Sequence, residues 1–131
     1  MRPQNQGLLI HASVLSFSFF LATCDLQLLP LIHIALHFLI PLFVALAFYI
    51  KKWAKAFALL LCGLLIDVDH LLADAIYDPD RCSIGFHPLH TAIPIALYSL
   101  LLIHPKTRLL GIGLYLHILL DIGDCFVQGN L

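Results

Sequence analysis

The stretch LIHIALHFLIPLFVALAFYI, residues 31–50, carries no charged side chain other than the two titratable histidines His33 and His37. It has the length of about 20 apolar residues that a helix needs to cross a bilayer. The reading repeats along the chain, from Trp53 to about Leu72, from near His87 to near His104, and from Leu109 to about Val127. Another apolar run lies between Gly7 and Cys24. With 61% hydrophobic residues, 11% charged residues and a mean hydropathy of +0.96, the chain falls far outside the range of a soluble domain. The expected fold is all-α: an integral membrane helical bundle of four transmembrane helices, residues 31–127 forming a single domain, with an N-terminal fifth helix. Residues 1–30 read as an N-terminal extension, either a membrane anchor or a signal-like segment.

The net charge of -1 offers no basic surface, and no Gly-rich phosphate loop is present, so nucleic acid is dropped as a partner. Lys51, Lys52 and Lys55 join the second and third apolar segments, and Lys106 and Arg108 join the fourth and fifth. Short basic loops stay on the cytoplasmic side. The Asp-rich stretch 73–86, with Asp78-Pro79-Asp80 as a turn signal, then faces the periplasm or exterior, as does the C-terminus.

Seven ionisable residues nevertheless sit inside or at the edge of these segments: His37, Asp67, His70, His87, His90, His117 and Asp121. Such groups cost several kcal/mol in hydrocarbon, so they turn inward and mark functional sites. Counted from the basic markers at about 1.5 Å per residue, residues on four different segments fall in one layer, with His117 one to two turns deeper. At helical spacing Asp67, His70 and Asp74 share a face, as do His117, Asp121 and Asp124, and as do His33 and His37. Asp69 points away from the Asp67 face, free to cap, to approach the site from another side, or to pair with Arg81. Helix-to-helix hydrogen bonds are the alternative use of these groups. The carboxylates need cations, however, and no lysine or arginine is near them in sequence.

Imidazole with carboxylate suits zinc, manganese or iron better than magnesium or calcium, and no thiolate cluster competes. A divalent ion, zinc or manganese first, is the expected cofactor, with room for one ion or for two bridged by an aspartate. The four cysteines lack C-x-x-C spacing. Cys82 and Cys125 both fall on the oxidising side of the deduced topology, where a disulfide between them is open.

The elements Asp67-Val68-Asp69-His70, His87-Pro88-Leu89-His90-Thr91 and His117-Ile118-Leu119-Leu120-Asp121 together resemble the motifs of the YdjM-type membrane-bound metal-dependent hydrolases. The stretch from about Leu31 to Phe126 looks closer still to a compact bacterial membrane family carrying the same elements. The resemblance implies a multi-pass protein of the bacterial inner membrane. It places Asp67, Asp69, His70, His90, His117 and Asp121 on metal positions, with His37 matching an early histidine.

Three functions fit. The first is a metal-dependent hydrolase acting on a lipid or membrane-associated ester or phosphoester, with His37, Asp67, His70, His90, His117 and Asp121 around the metal and Asp69 or His87 as general base. The second is a non-catalytic metal site, structural, sensory or part of an ion or proton pathway. The third is a haem-binding bundle with two axial histidines. The almost wholly apolar cytoplasmic half favours a one-sided pocket over a conduit.

Overall fold

The computed structural model describes Leu28 and residues 30–76, 78 and 81–129. The expected N-terminal segment Gly7–Cys24 and the Pro79-Asp80 part of the turn lie outside the described residues. The chain divides into two compact units, Met1–Ile32 and His33–Leu131.

Among the described residues the chain is all-helical. Helix α1 runs over Pro30–Phe48, helix α2 over Trp53–Leu61, helix α3 over Ala92–Ile103 and helix α4 over Arg108–Val127. The bounds of α1 and α4 lie within two residues of the sequence reading, and both helices are long and apolar enough to cross a membrane. Helix α1 continues through Pro41 without a break.

The other two segments depart from that reading. Helix α2 passes directly into a 3-10 helix over Cys62–Leu72, far longer than the few residues such helices usually sustain. The tighter winding changes which side chains align: at about three residues per turn, Asp67 and His70 eclipse each other and Asp69 lies about 120° away. Asp74 does not share their face, because the helix ends before Ala73, which is extended. The fourth segment is interrupted. Pro88–His90 form a single 3-10 turn, Thr91 is extended, and α3 starts only at Ala92. Its 12 residues reach about 18 Å, well short of a bilayer core.

The interior is unusual for so apolar a chain. Among the described residues the buried hydrophobic ones are Ala45, Ala56, Leu60, Ile66, Leu114, Ile118 and Cys125, and nearly as many polar ones are buried with them: His37, Asp69, His87, His90, His117 and Asp121. Large side chains such as Phe43, Phe48, Leu72, Ile93 and Phe126 point outward instead. One apolar cluster lies toward the basic turns, where Ala45, Ala56 and Leu60 pack with Leu109 and Ile112, and a second, of Ile66, Leu114 and Ile118, packs with Ile84 and Leu89. The polar layer lies toward the other end.

Two glycines set the approach of the segments carrying that layer. A methyl group at Gly63 would overlap the Gly113 carbonyl, and one at Gly113 would overlap the Leu60 carbonyl. The backbones touch at this crossing, in the way small residues permit at helix interfaces. Helices α3 and α4 are joined by a hydrogen bond between Ser99 Oγ and Tyr115 Oη.

Candidate metal centre

Asp67 and Asp69 come from the 3-10 helix, His90 from the turn before α3, and His117 and Asp121 from successive turns of α4. The Pro88–His90 turn is held at several points. Leu89 N–H donates to Asp69 Oδ2 at 2.7 Å, Tyr98 O–H to the Leu89 carbonyl at 2.9 Å, and Thr91 Oγ1 to the Pro88 carbonyl at 2.9 Å. Gly85, at φ 82, supplies the left-handed turn whose N–H donates to the His90 carbonyl.

Asp67, His90, His117 and Asp121 converge. His90 Nε2 stands 3.3 Å from His117 Nε2, 3.1 Å from Asp121 Oδ2 and 3.5 Å from Asp67 Oδ1. His117 Nε2 stands 3.0 Å from Asp67 Oδ1 and 3.3 Å from Asp121 Oδ2. Donors held tetrahedrally at about 2.0–2.1 Å from one ion are themselves about 3.3–3.4 Å apart. The separations therefore suit a single small divalent cation, and two carboxylates with two neutral imidazoles match its charge. Among the described residues, every ion pair made by Asp67 or Asp121 is with a histidine. His117 Nδ1 and Asp121 Oδ2 are buried and make no hydrogen bond, a costly state for polar atoms that a cation at the centre relieves for Asp121.

Asp69 lies behind this group. Its Oδ2 accepts from His90 Nδ1 at 3.2 Å as well as from Leu89 N–H, and its Oδ1 accepts from His70 Nδ1 at 3.2 Å. With Nδ1 carrying the proton, His90 turns the lone pair of Nε2 toward the centre, the carboxylate–histidine arrangement common around metal ions. Of the roles open to Asp69 in sequence, the structure shows approach from another side. Arg81 donates instead to the Asp74 and Ala75 carbonyls and lies over the Phe86 ring.

The remaining sequence candidates fall into two neighbouring groups. Asp69, His70 and His87 form one, and His33, His37 and Asp121 the other, each with ligand-type atoms within 4.8 Å of one another. His87 stacks on His70 at 3.7 Å between ring centroids, and Ser83 Oγ lies 3.4 Å from His70 Nε2. The expected set is thus brought into one region but divided, with Asp121 common to two groups. His33, left out of the expected metal set, faces Asp121 Oδ1 at 3.3 Å; its spacing from His37 on one helical face was the available signal.

A cavity of about 340 Å³ opens beside the polar layer. His33, His37, Asp67, His70, His87 and Asp121 line it, while His90 and His117 do not. Ile34, Phe38, Leu64 and Ile76 give it apolar walls, and Asp78, Arg81 and Ser83 stand on the loop side. That loop is fastened to α4 by a disulfide between Cys82 and Cys125.

Residues 27–128 match a family of unknown function, DUF6122. The chain belongs to this family. The DUF6122 match covers every residue of the three His/Asp groups and both disulfide cysteines. No curated protein and no solved structure matches the chain.

Proposed function

We propose that this protein is a multi-pass membrane protein of the bacterial inner membrane, a metal-dependent hydrolase that acts on a lipid or membrane-associated ester or phosphoester. The observation that carries the reading is the convergence of Asp67, His90, His117 and Asp121, at separations suited to one divalent cation, next to a cavity with apolar walls. Zinc or manganese suits the mixed imidazole and carboxylate set. Kinship with the YdjM-type hydrolases is part of the proposal and rests on the three sequence elements.

Four membrane passes follow if the continuous Trp53–Leu72 segment and the region 87–104 cross with α1 and α4. The former reaches about 35 Å when its α and 3-10 parts are taken at their own rises. The latter is broken at 87–91, and irregular backbone at membrane depth is tolerated where it lines a cavity or is buried in protein. His87 and His90 are buried there. The basic turns lie at the opposite end of the helices from the site, which supports a site facing the periplasm. A disulfide on the site's side agrees with an oxidising compartment.

A bound divalent ion lowers the pKa of water and polarises the scissile group. Asp69 holds His90 in the tautomer that points Nε2 inward. His87, which lines the cavity and packs on His70, is placed to take the proton of the attacking water. Water oxygen then bonds to the acyl carbon or phosphorus, the bond to the alcohol oxygen breaks, and that oxygen leaves with a proton. The apolar side chains Ile34 and Phe38 suit a lipid tail.

A non-catalytic metal site is the second reading, favoured by one observation: four protein donors are the number that closes a structural zinc site. Metal content of detergent-purified protein, followed by a screen against lipid esters and phosphoesters, separates the two. Stoichiometric metal with metal-dependent turnover supports the hydrolase. Stoichiometric metal whose removal unfolds the protein, with no turnover on any substrate class, supports the structural site. Absence of metal after reconstitution overturns both and leaves a hydrogen-bonded polar core.

A further inference from the structure

We propose that Asp121 bridges two divalent cations, the second held by His33 and His37 on α1 and open to the cavity. The inference rests on reading the four-donor group as a metal site, and it extends that reading to a dinuclear centre.

The two oxygens of Asp121 address different partners. Oδ2 faces His90 Nε2 at 3.1 Å and His117 Nε2 at 3.3 Å. Oδ1 faces His33 Nε2 at 3.3 Å and His37 Nε2 at 3.4 Å. One carboxylate thus presents an oxygen to each of two donor sets, the disposition of a bridging ligand in two-metal hydrolytic centres.

His37 gives independent support. Its Nδ1 lies 3.0 Å from the His33 carbonyl, and a carbonyl oxygen only accepts, so Nδ1 carries the proton. In neutral imidazole Nε2 then holds a lone pair. That atom is buried, makes no hydrogen bond and points at a carboxylate oxygen. With His37 neutral, two acceptors face each other there, and a cation between them removes the conflict. The other ring nitrogen of His33 is also flanked: Nδ1 lies 3.7 Å from Asp124 Oδ1, while Asp124 Oδ2 accepts from Gln128 Nε2 at 2.7 Å. Asp124 thus stands behind the His33 imidazole, though farther off than Asp69, which accepts from His90 at 3.2 Å.

The two sets differ in what they leave free. The first offers four protein donors. The second offers three, and all of them line the cavity. Catalytic metal sites characteristically keep a position open for water or substrate, whereas structural ones are closed. The geometry assigns substrate contact to the second ion and support to the first.

The test is metal stoichiometry of the full-length chain in detergent, loaded with zinc or manganese, together with electron paramagnetic resonance of the manganese form. Two ions per chain and a spin-coupled manganese signal are expected in the wild type. The His33→Ala/His37→Ala variant is expected to retain one ion and to show the signal of isolated manganese. Elution as a monodisperse species and an intact Cys82–Cys125 disulfide check that the variant folds. A single ion in the wild type, uncoupled, lost in His90→Ala and kept in the His33/His37 variant, overturns the second site and leaves the first standing. No bound ion at all overturns both. Because the coupling is read on the wild type, an unfolded variant does not prevent a decision.

Discussion

Asp67 Oδ1 lies 3.0 Å from His117 Nε2, and each residue stands about one turn beyond a glycine at the point where their two backbones touch, Gly63 and Gly113. The contact between the glycines fixes how close the carboxylate and the imidazole can come. Gly113→Leu forces a side chain against the Leu60 carbonyl, an overpacking that costs about 1–3 kcal/mol or more. It is expected to lower the midpoint of thermal unfolding and to weaken metal binding at least tenfold, although neither glycine touches the site. Calorimetric metal titration checks this; unchanged affinity would show that the crossing does not set the geometry.

Asp69 separates a positioning role from a general base. It accepts hydrogen bonds from His90, Leu89 and His70 at once, so its lone pairs are committed to holding the site together. Loss of a partner behind a metal-bound histidine typically costs 10–100-fold in affinity or activity, about 1.4–2.7 kcal/mol. Asp69→Asn is therefore expected to reduce metal affinity by that factor, and Asp69→Ala by more, since Leu89 N–H is left unsatisfied. If Asp69 is instead the base, metal content stays at the wild-type level while turnover falls.

Much of this arrangement was legible in sequence, and the reason differs by element. Helices α1 and α4 are long and mostly apolar, with basic residues at one end of each, so hydropathy places their ends to within about two residues. The layer of polar residues followed from counting along them. Nothing in the Cys62–Leu72 sequence distinguishes a 3-10 from an α winding, because apolar spacing at three and at four residues overlaps over so short a run. The late start of α3 had a local signal in Thr91 and Pro94, residues suited to a helix's beginning. The division of the histidines and aspartates into groups depends on how helices cross, and the Gly63–Gly113 contact behind that crossing joins residues distant in the chain.

Removal of the metal provides a test that needs no substrate. The donors pair closely only in the folded chain, so an ion bound to them stabilises the fold by mass action, by about 2.7 kcal/mol when free ion exceeds the dissociation constant a hundredfold. Chelation is expected to lower the unfolding midpoint of the wild type and to lower that of the His117→Ala variant by less. The ion's ligands must also be deprotonated, so affinity falls as pH drops. An equal response of wild type and variant to chelator would show that stability does not depend on this centre.

The Cys82–Cys125 disulfide closes a span of 43 residues, for which chain entropy in solution would give about 4 kcal/mol. In the proposed membrane setting the gain is smaller, because spanning segments restrict the unfolded chain, and the bond acts chiefly on the loop. Arg81 is on that loop and lines the cavity with Ser83, and its guanidinium secures the turn at Ala75, which is left-handed at φ 51. Cys82→Ser is expected to leave the helices intact, to speed proteolysis of residues 73–86 severalfold, and to weaken retention of anything bound in the cavity. The loop is also the marker of orientation. In sealed inverted inner-membrane vesicles, protease outside should spare 73–86 and an impermeant maleimide should label Lys52→Cys and Lys106→Cys. Cleavage of the loop in the Cys82→Ser variant under those conditions, with both engineered cysteines protected, would place the site in the cytoplasm and remove the oxidising compartment on which the disulfide depends.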